Sequence, residues 1–279
     1  MSVQGNAAVV TGAASGLGLA IARALAARGA RVALVDVDAA GLEAAAASIE
    51  GETLTVVADI ADAAGIARAM EEAAARFGGI DLVVAGAGIT AAGSVAHIDA
   101  AAWERVIEVN LLGTWRTVRA ALPHLMRSKG RLVIIASGFA AAPGPHASAY
   151  AASKAAIESL GRTLRIEVAH HGVGVGIGYF AFLDTPLVDR IEADPAAARS
   201  RAAMPAALRR TYPVAGAAEA VVKGIERGAD TIVYPGLLRG QLLLRGMLGR
   251  WSEAGWRKAM PEVERLERAA HEAPGSASA

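Results

Sequence analysis

The chain contains no cysteine. Disulfide staples, thiolate nucleophiles and cysteine zinc sites are therefore excluded, and a reducing compartment is expected. Aromatic residues are scarce, with four each of Phe, Tyr and Trp in 279 residues, so a place where rings gather carries information. An excess of one charge is also missing: 28 Lys and Arg stand against 27 Asp and Glu. No basic block suggests a nucleic-acid surface. No apolar run reaches the roughly 18 residues of a membrane-spanning helix. The opening "MSVQGNAAVVTG" lacks the basic-then-apolar pattern of a signal peptide. With 54% hydrophobic and 20% charged residues, the composition predicts a globular, cytoplasmic protein.

What is present is an alternation. Short β-branched runs at 7–10, 31–36, 53–59, 81–86, 131–137, 173–180 and 230–235 are separated by alanine-rich stretches of helical length, including 16–28, 39–50, 63–77, 99–121 and 150–170. Runs apolar on both faces, each followed by a helix, predict a parallel sheet covered on both sides. Right-handed crossovers then make a doubly wound α/β domain. One dinucleotide-binding and catalytic domain is predicted over 1–236. Residues 184–214 hold Pro186, Pro195, Pro205 and Pro213 and are expected to form a substrate lid. Residues 237–279 are predicted as an extension ending in a disordered "APGSASA". Its mixed leucines and arginines are assigned to subunit or pocket contact, ahead of contact with a membrane surface.

"VVTGAASGLGLAIARAL" follows the first run and opens the first helix. Gly12, Gly16 and Gly18, with Ser15 and Leu17 between them, can supply the tight turn, close backbone approach and helix packing that a pyrophosphate needs. The alternative is an ordinary turn, which the strand–loop–helix context disfavours. Asp36 ends the second run, 18 residues after Gly18. A carboxylate there can accept from a ribose 2′-OH and would repel a 2′-phosphate. No Arg or Lys at 13–15 or 37–38 could receive that phosphate, so NAD is expected over NADP. The alternative for Asp36 is a solvated carboxylate at a strand end.

In "SAYAASKAA" an alanine-rich helix carries Tyr150 and Lys154 one turn apart. Either the ring packs and the lysine meets water, or the lysine makes the phenol acidic. Positions i and i+4 share a helix face, and a nearby cation favours phenolate.

Gly12-x-x-x-Gly16-x-Gly18 taken together with Tyr150-x-x-x-Lys154 resembles the short-chain dehydrogenase/reductase family over roughly residues 5–236. Ser137, 13 residues before Tyr150, matches the family's active-site serine, and Asn110 in "VIEVNLLGTW" its helix asparagine. Asp59-Ile60 matches the pair facing the adenine, and Thr185 the threonine at the nicotinamide amide. The resemblance implies a Rossmann-type, mostly parallel seven-stranded sheet flanked by helices, bound NAD, and a homodimer or homotetramer. It implies Tyr150 as general acid or base, and Lys154 lowering its pKa while holding the nicotinamide ribose. Ser137 would bond the substrate oxygen, and Asn110 would hold a proton-relaying water. Four residues depart from the family. Gly86 replaces the asparagine before Ala87 and Gly88, whose backbone is expected to keep its cofactor contacts. Phe180-Ala181 replaces Pro-Gly, and Gly176 replaces an asparagine.

Tyr179, Phe180 and Phe182 fall within four positions, and Phe139 lies just past Ser137. With His146 they are taken as candidate substrate contacts in an apolar pocket. The alternatives are core filling for the rings and a surface loop for the histidine. No metal site is expected, since the adjacent His170 and His171 would point in different directions on a helix. The function expected is an NAD-dependent oxidoreductase interconverting alcohol and carbonyl on a small-to-medium apolar substrate, a secondary alcohol or a steroid-like molecule. The alternative is a non-catalytic nucleotide-binding sensor or scaffold.

Overall fold

The computed structural model describes residues 2–204, 206–245, 260–267 and 269. Strands and helices alternate: β1 (Ala7–Thr11), α1 (Gly16–Ala26), β2 (Arg31–Asp36), α2 (Ala39–Ala47), β3 (Thr53–Val57), α3 (Ala63–Phe77), β4 (Leu82–Ala85), α4 (Ala100–Ile107), α5 (Thr114–Ser128), β5 (Arg131–Ile135), α6 (Ser148–Val168) and β6 (Gly174–Phe180). Three short helices follow, α7 (Pro186–Glu192), α8 (Pro195–Ala202) and α9 (Ala206–Arg209), then α10 (Val214–Glu226) and β7 (Thr231–Tyr234). The seven predicted strands are all present, in one parallel sheet of order β3-β2-β1-β4-β5-β6-β7.

Side chains alternate across each strand, and here both sets are buried. Val9, Val83, Leu132, Ile134 and Ile177 face α3, α5 and α6, meeting Ile66, Met70, Leu125 and Ile157. Their neighbours Val10, Val84, Val133 and Ile135 face α1, α2 and α10, meeting Ile21, Leu25, Leu42 and Val221. Strand order reverses between β1 and β4, so the loops leaving these strands diverge to opposite faces and open a crevice at their carboxyl ends.

The long helix expected over 99–121 is interrupted. Between α4 and α5, residues Glu108–Gly113 form a π-helical turn, a local widening that commonly re-aims a side chain. Asn110 lies in that turn, fully buried. Gly113 is required there because a Cβ would come within 2.7 Å of the Ile60 side chain. Residues 238–245 and 260–267 are helical; the disordered end expected at "APGSASA" lies outside the described residues.

Candidate active site

The crevice is a cleft of about 440 Å³ whose walls include the α1 loop, the ends of β2 and β4, and the start of α7. Gly12 has φ +74°, and a Cβ there would sit 2.7 Å from the Ala87 Cα. A Cβ on Gly18 would sit 2.0 Å from the Gly12 carbonyl oxygen. Gly16 has φ +55°, and a Cβ there would stand 3.5 Å from the Thr185 side chain. The three glycines thus let the loop touch β4, α1 and the α7 start at once. Ser15 caps α1 without a side-chain hydrogen bond, and the first turn holds no acid. Its backbone N–H groups are left for an anion.

Asp36 borders the same cleft. Its Oδ2 accepts from the Ala14 N–H (3.1 Å) and its Oδ1 from those of Val37 (2.8 Å) and Asp38 (3.2 Å), which fixes the carboxylate beside the glycine loop. Asp59 accepts from the Ala61 N–H at 2.8 Å and from Arg105 at 2.8 Å. Burial pushes its pKa up, but Arg105 and that N–H outweigh it and hold the carboxyl below its usual range. Arg105 lines the cleft and was missed from the sequence; a half-exposed arginine on a helix has no pattern that marks it out.

The other end of the cleft holds Ser137, Tyr150 and Lys154. Lys154 is 4% exposed, and its Nζ donates to the Ile135 carbonyl at 2.8 Å. Desolvation lowers its pKa to about 8. At Tyr150 two effects oppose each other. Burial pushes the phenol up, and the hydrogen bond with Ser137 pulls it part of the way back. Lys154 Nζ stands 5.6 Å from the Tyr150 ring centroid, over the ring face. Asn110 clamps the loop after β4, accepting from the Ile89 N–H (2.8 Å) and donating to the Ile89 carbonyl (2.9 Å) and to Ser153 Oγ (3.1 Å). Ser153 in turn donates to the Tyr150 carbonyl at 2.8 Å, tying Asn110 to the tyrosine helix. Ser153 too escaped the sequence reading, being one small residue between Tyr150 and Lys154.

The departures from the family are absorbed locally. Thr11 Oγ1 accepts from both the Gly86 and Ala87 N–H groups, at 3.1 and 3.3 Å, and so holds the turn where an asparagine was missed. Phe180 extends β6 and pairs with Tyr234, while the Ala181 N–H donates to the Tyr234 carbonyl at 3.2 Å. The turn usually made by Pro-Gly is therefore replaced by one more residue of strand. At Gly176 a Cβ would stand 3.1 Å from the Arg131 guanidinium, which bonds the Ala229 carbonyl.

Of the aromatic candidates, Phe180 borders the cleft. Tyr179 is corrected: strand alternation turns it to the opposite face of the sheet, into the α6 side of the core. Burial first, then the Glu158 carboxylate to which it hydrogen-bonds, push its phenol far up. Phe139 and Phe182 stand edge-on to one another at 5.8 Å, and Phe139 stands edge-on to Tyr150 at 6.0 Å. His146, 6% exposed, is no surface-loop histidine. It lines a small cavity with Phe139 and Phe182, and Phe139 in turn stands beside Tyr150.

The apparatus is that of a nucleotide-dependent α/β enzyme, with a glycine cradle at the sheet's switch point and a phenol over a buried ammonium beyond it. A sequence model of the short chain dehydrogenase family matches residues 6–196, and the chain belongs to this family. It is 40% identical over 192 residues to cis-4-hydroxycyclohexanecarboxylate dehydrogenase of Sinomonas cyclohexanicum, covering 67% of this chain and 77% of that one. It is 36% identical over 189 residues to 2-dehydro-3-deoxy-L-rhamnonate dehydrogenase (NAD(+)) of Sphingomonas sp. SKA58, covering 67% and 76%. Among solved structures it superposes on levodione reductase with TM-score 0.77 at 28% identity, covering 84% of this chain and 97% of that one.

Proposed function

We propose that the protein interconverts a secondary alcohol and its ketone, with Tyr150 as the acid and base and a compact, largely apolar substrate between Tyr150 and the α7–α9 segment. It is an NAD-dependent oxidoreductase of the short-chain dehydrogenase family. The observation that carries the reading is the single cleft joining the glycine loop and Asp36 to Ser137, Tyr150 and Lys154. NAD fits it: Gly12 and Gly18 are sites a Cβ would fill, and the α1 N–H groups await an anion. When bound, NAD supplies the two-electron acceptor of a hydride and, as a cation, a charge favouring phenolate.

In oxidation the Tyr150 phenolate takes the substrate hydroxyl proton as the C–H bond gives up its electron pair; in reduction the phenol returns that proton to the carbonyl oxygen. Burial pushes the phenol up and the Ser137 hydrogen bond pulls it back, so the charge of bound NAD would tip it toward the base form. Ser137 bonds both the phenol and the incoming oxygen. Lys154 reaches the ribose with the N–H groups not spent on Ile135, and Asn110 steadies the loop beside the proposed water relay. The relative named for a hydroxycyclohexane carboxylate supports a ring substrate. A cavity of about 40 Å³ beside Phe139 and Phe182 favours a compact ring over a steroid skeleton.

The region 184–214 acts as the lid in this proposal, within a catalytic domain of 1–236, and the working form is a cytoplasmic homodimer or homotetramer. Among the described residues no helix is long and apolar enough to cross a membrane. The sensor alternative loses its motive, since Thr11 and the longer β6 compensate for residues 86 and 180–181. Tyr150→Phe tests the reading. Turnover should fall by about a hundredfold to ten-thousandfold with NADH affinity retained, and undiminished turnover would refute it.

A further inference from the structure

Buried polar atoms nearly always have partners, and one left bare costs free energy that something must offset. His146 and Ser200 break this rule together. Both ring nitrogens of His146 and the Ser200 hydroxyl are buried without a hydrogen-bond partner. The residues are 6% and 3% exposed, and they line the same cavity of about 40 Å³. They come from segments far apart in the chain. His146 lies four residues before Tyr150, and Ser200 lies on α8. His146 is also one of two described non-glycine residues with positive φ, at +62°. It is pinned there by a bridge from Gly93, whose N–H donates to the His146 carbonyl at 3.3 Å. The backbone is therefore held in an uncommon conformation at a residue whose imidazole lines a largely apolar cavity.

Of the rest of the wall, Thr90 adds a further hydroxyl and the other side chains are mostly apolar. Phe139 and Phe182 form two sides. Arg201 lies 4.2 Å over the Phe182 ring, but its guanidinium is spent on Glu192, the Arg209 carbonyl and Thr211. Its charge is neutralised before it meets the cavity. A neutral imidazole offers one donor and one acceptor, and a hydroxyl offers both. That set matches an oxygen function, and the cavity of about 40 Å³ has room for one.

We infer that His146 and Ser200 form a second substrate subsite, which binds an oxygen function (hydroxyl, carbonyl or carboxylate) carried by the substrate at a distance from the reacting carbon. The inference rests on the dehydrogenase reading of Tyr150. It amends the apolar substrate expected from the ring cluster: the walls are apolar, and the far end is polar. The subsite lies behind Phe139, whose ring centroid stands 6.0 Å from that of Tyr150. An oxygen bound there is thus separated from the reacting carbon by a short carbon frame. An alcohol lacking the second oxygen would leave three buried polar atoms bare, which is the strongest form of discrimination a small pocket can exert.

The test is calorimetric titration of the protein–NADH complex with cyclohexanol, 1,4-cyclohexanediol and 4-hydroxycyclohexanecarboxylate, together with matched linear alcohols, diols and hydroxy acids. Turnover with NAD is measured in parallel. The doubly oxygenated member of a pair should bind at least about tenfold tighter than the plain alcohol. That ratio should collapse toward one in Ser200→Ala and in His146→Leu, while His146→Asn, which tolerates positive φ and keeps a donor and an acceptor, retains part of it. Ser200→Ala needs no change of backbone and decides the matter if His146→Leu does not fold. The diol and hydroxy acid arms separate a neutral oxygen from a carboxylate, and a preference for either supports the subsite. A wild-type affinity ratio near one, or a ratio unaltered in Ser200→Ala, overturns it. Failure of turnover with the ratio intact would instead refute the dehydrogenase reading and leave the subsite standing.

Discussion

Lys154 is a burden on the fold that the active site retains, and Lys154→Met should measure the burden. Desolvation lowers the ammonium pKa from 10.5 to about 8, with each unit equivalent to about 1.4 kcal/mol. Holding the charged form in the folded state therefore costs about 3 kcal/mol below pH 8. Methionine fills similar space with no charge, but it withdraws the hydrogen bond to the Ile135 carbonyl, a loss of about 1 kcal/mol. The variant should be more stable at pH 7 by about 2 kcal/mol, or roughly 4–8 °C in Tm for a domain of this size, while losing activity. Between pH 8 and 10.5 the unfolded chain binds more protons at this lysine than the folded chain does, so wild-type stability gains with rising pH in that window. The advantage of the variant should shrink through it and reverse above it, where only the lost hydrogen bond remains. Urea unfolding of both proteins at pH 7, 8, 9 and 10 gives the difference directly, because other titrations common to the two cancel. A variant less stable at pH 7, or a difference flat across the window, would refute the reasoning.

Gly18→Ala should destabilise the fold by about 1–3 kcal/mol through overpacking and weaken NADH binding, because the new methyl lies 2.0 Å from the Gly12 carbonyl. Gly240→Ala, where a Cβ meets nothing within 4 Å in the helical stretch 238–245, should stabilise it by about 1 kcal/mol; thermal melts with opposite signs check the pair. Asp36→Asn keeps one acceptor oxygen but loses the charge and turns an amide toward a backbone N–H. The preference for NADH over NADPH should drop by at least about tenfold, and an unchanged ratio in paired titrations would remove Asp36 from nucleotide selection.

The sheet and the nucleotide end of the cleft were legible because both are written in local pattern. Seven apolar runs followed by helices state a parallel sheet. Gly12, Gly16, Gly18 and Asp36 all sit within one β-α-β unit, where spacing fixes geometry. The substrate end was legible only in part. Tyr179, Phe180 and Phe182 look alike as a cluster, yet one step along a strand reverses the face a side chain takes. Tyr179 went to the core, and Phe180 to the cleft. Thr11 could not be seen as the replacement for an absent asparagine, because the groups it bonds lie 75 and 76 residues away.

The same distance hides what covers the substrate end. Glu267 accepts from the Ser94 N–H at 2.7 Å and meets His97 Nδ1 at 3.2 Å. Glu262 pairs with Arg199 of α8, and Val263 is fully buried. Residues 260–267 are thereby fastened both to the loop after β4 and to the helix that carries Ser200. An extension judged by composition alone reads as a tail, whose leucines and arginines suit subunit or pocket contact ahead of a membrane surface. Contact decides otherwise for the described part. Burial of Glu267 pushes its pKa up, yet the Ser94 N–H, aided by His97 and the nearby His146, holds it below its usual range, so the carboxylate stays charged at neutral pH. A charged group buried only by virtue of its partners holds its segment to one register. The loop bearing Ser94, the α8 helix bearing Ser200 and the stretch 260–267 are thus joined by contact, so under the proposed function the cover of the substrate end is built from segments that carry none of the motifs announcing its chemistry.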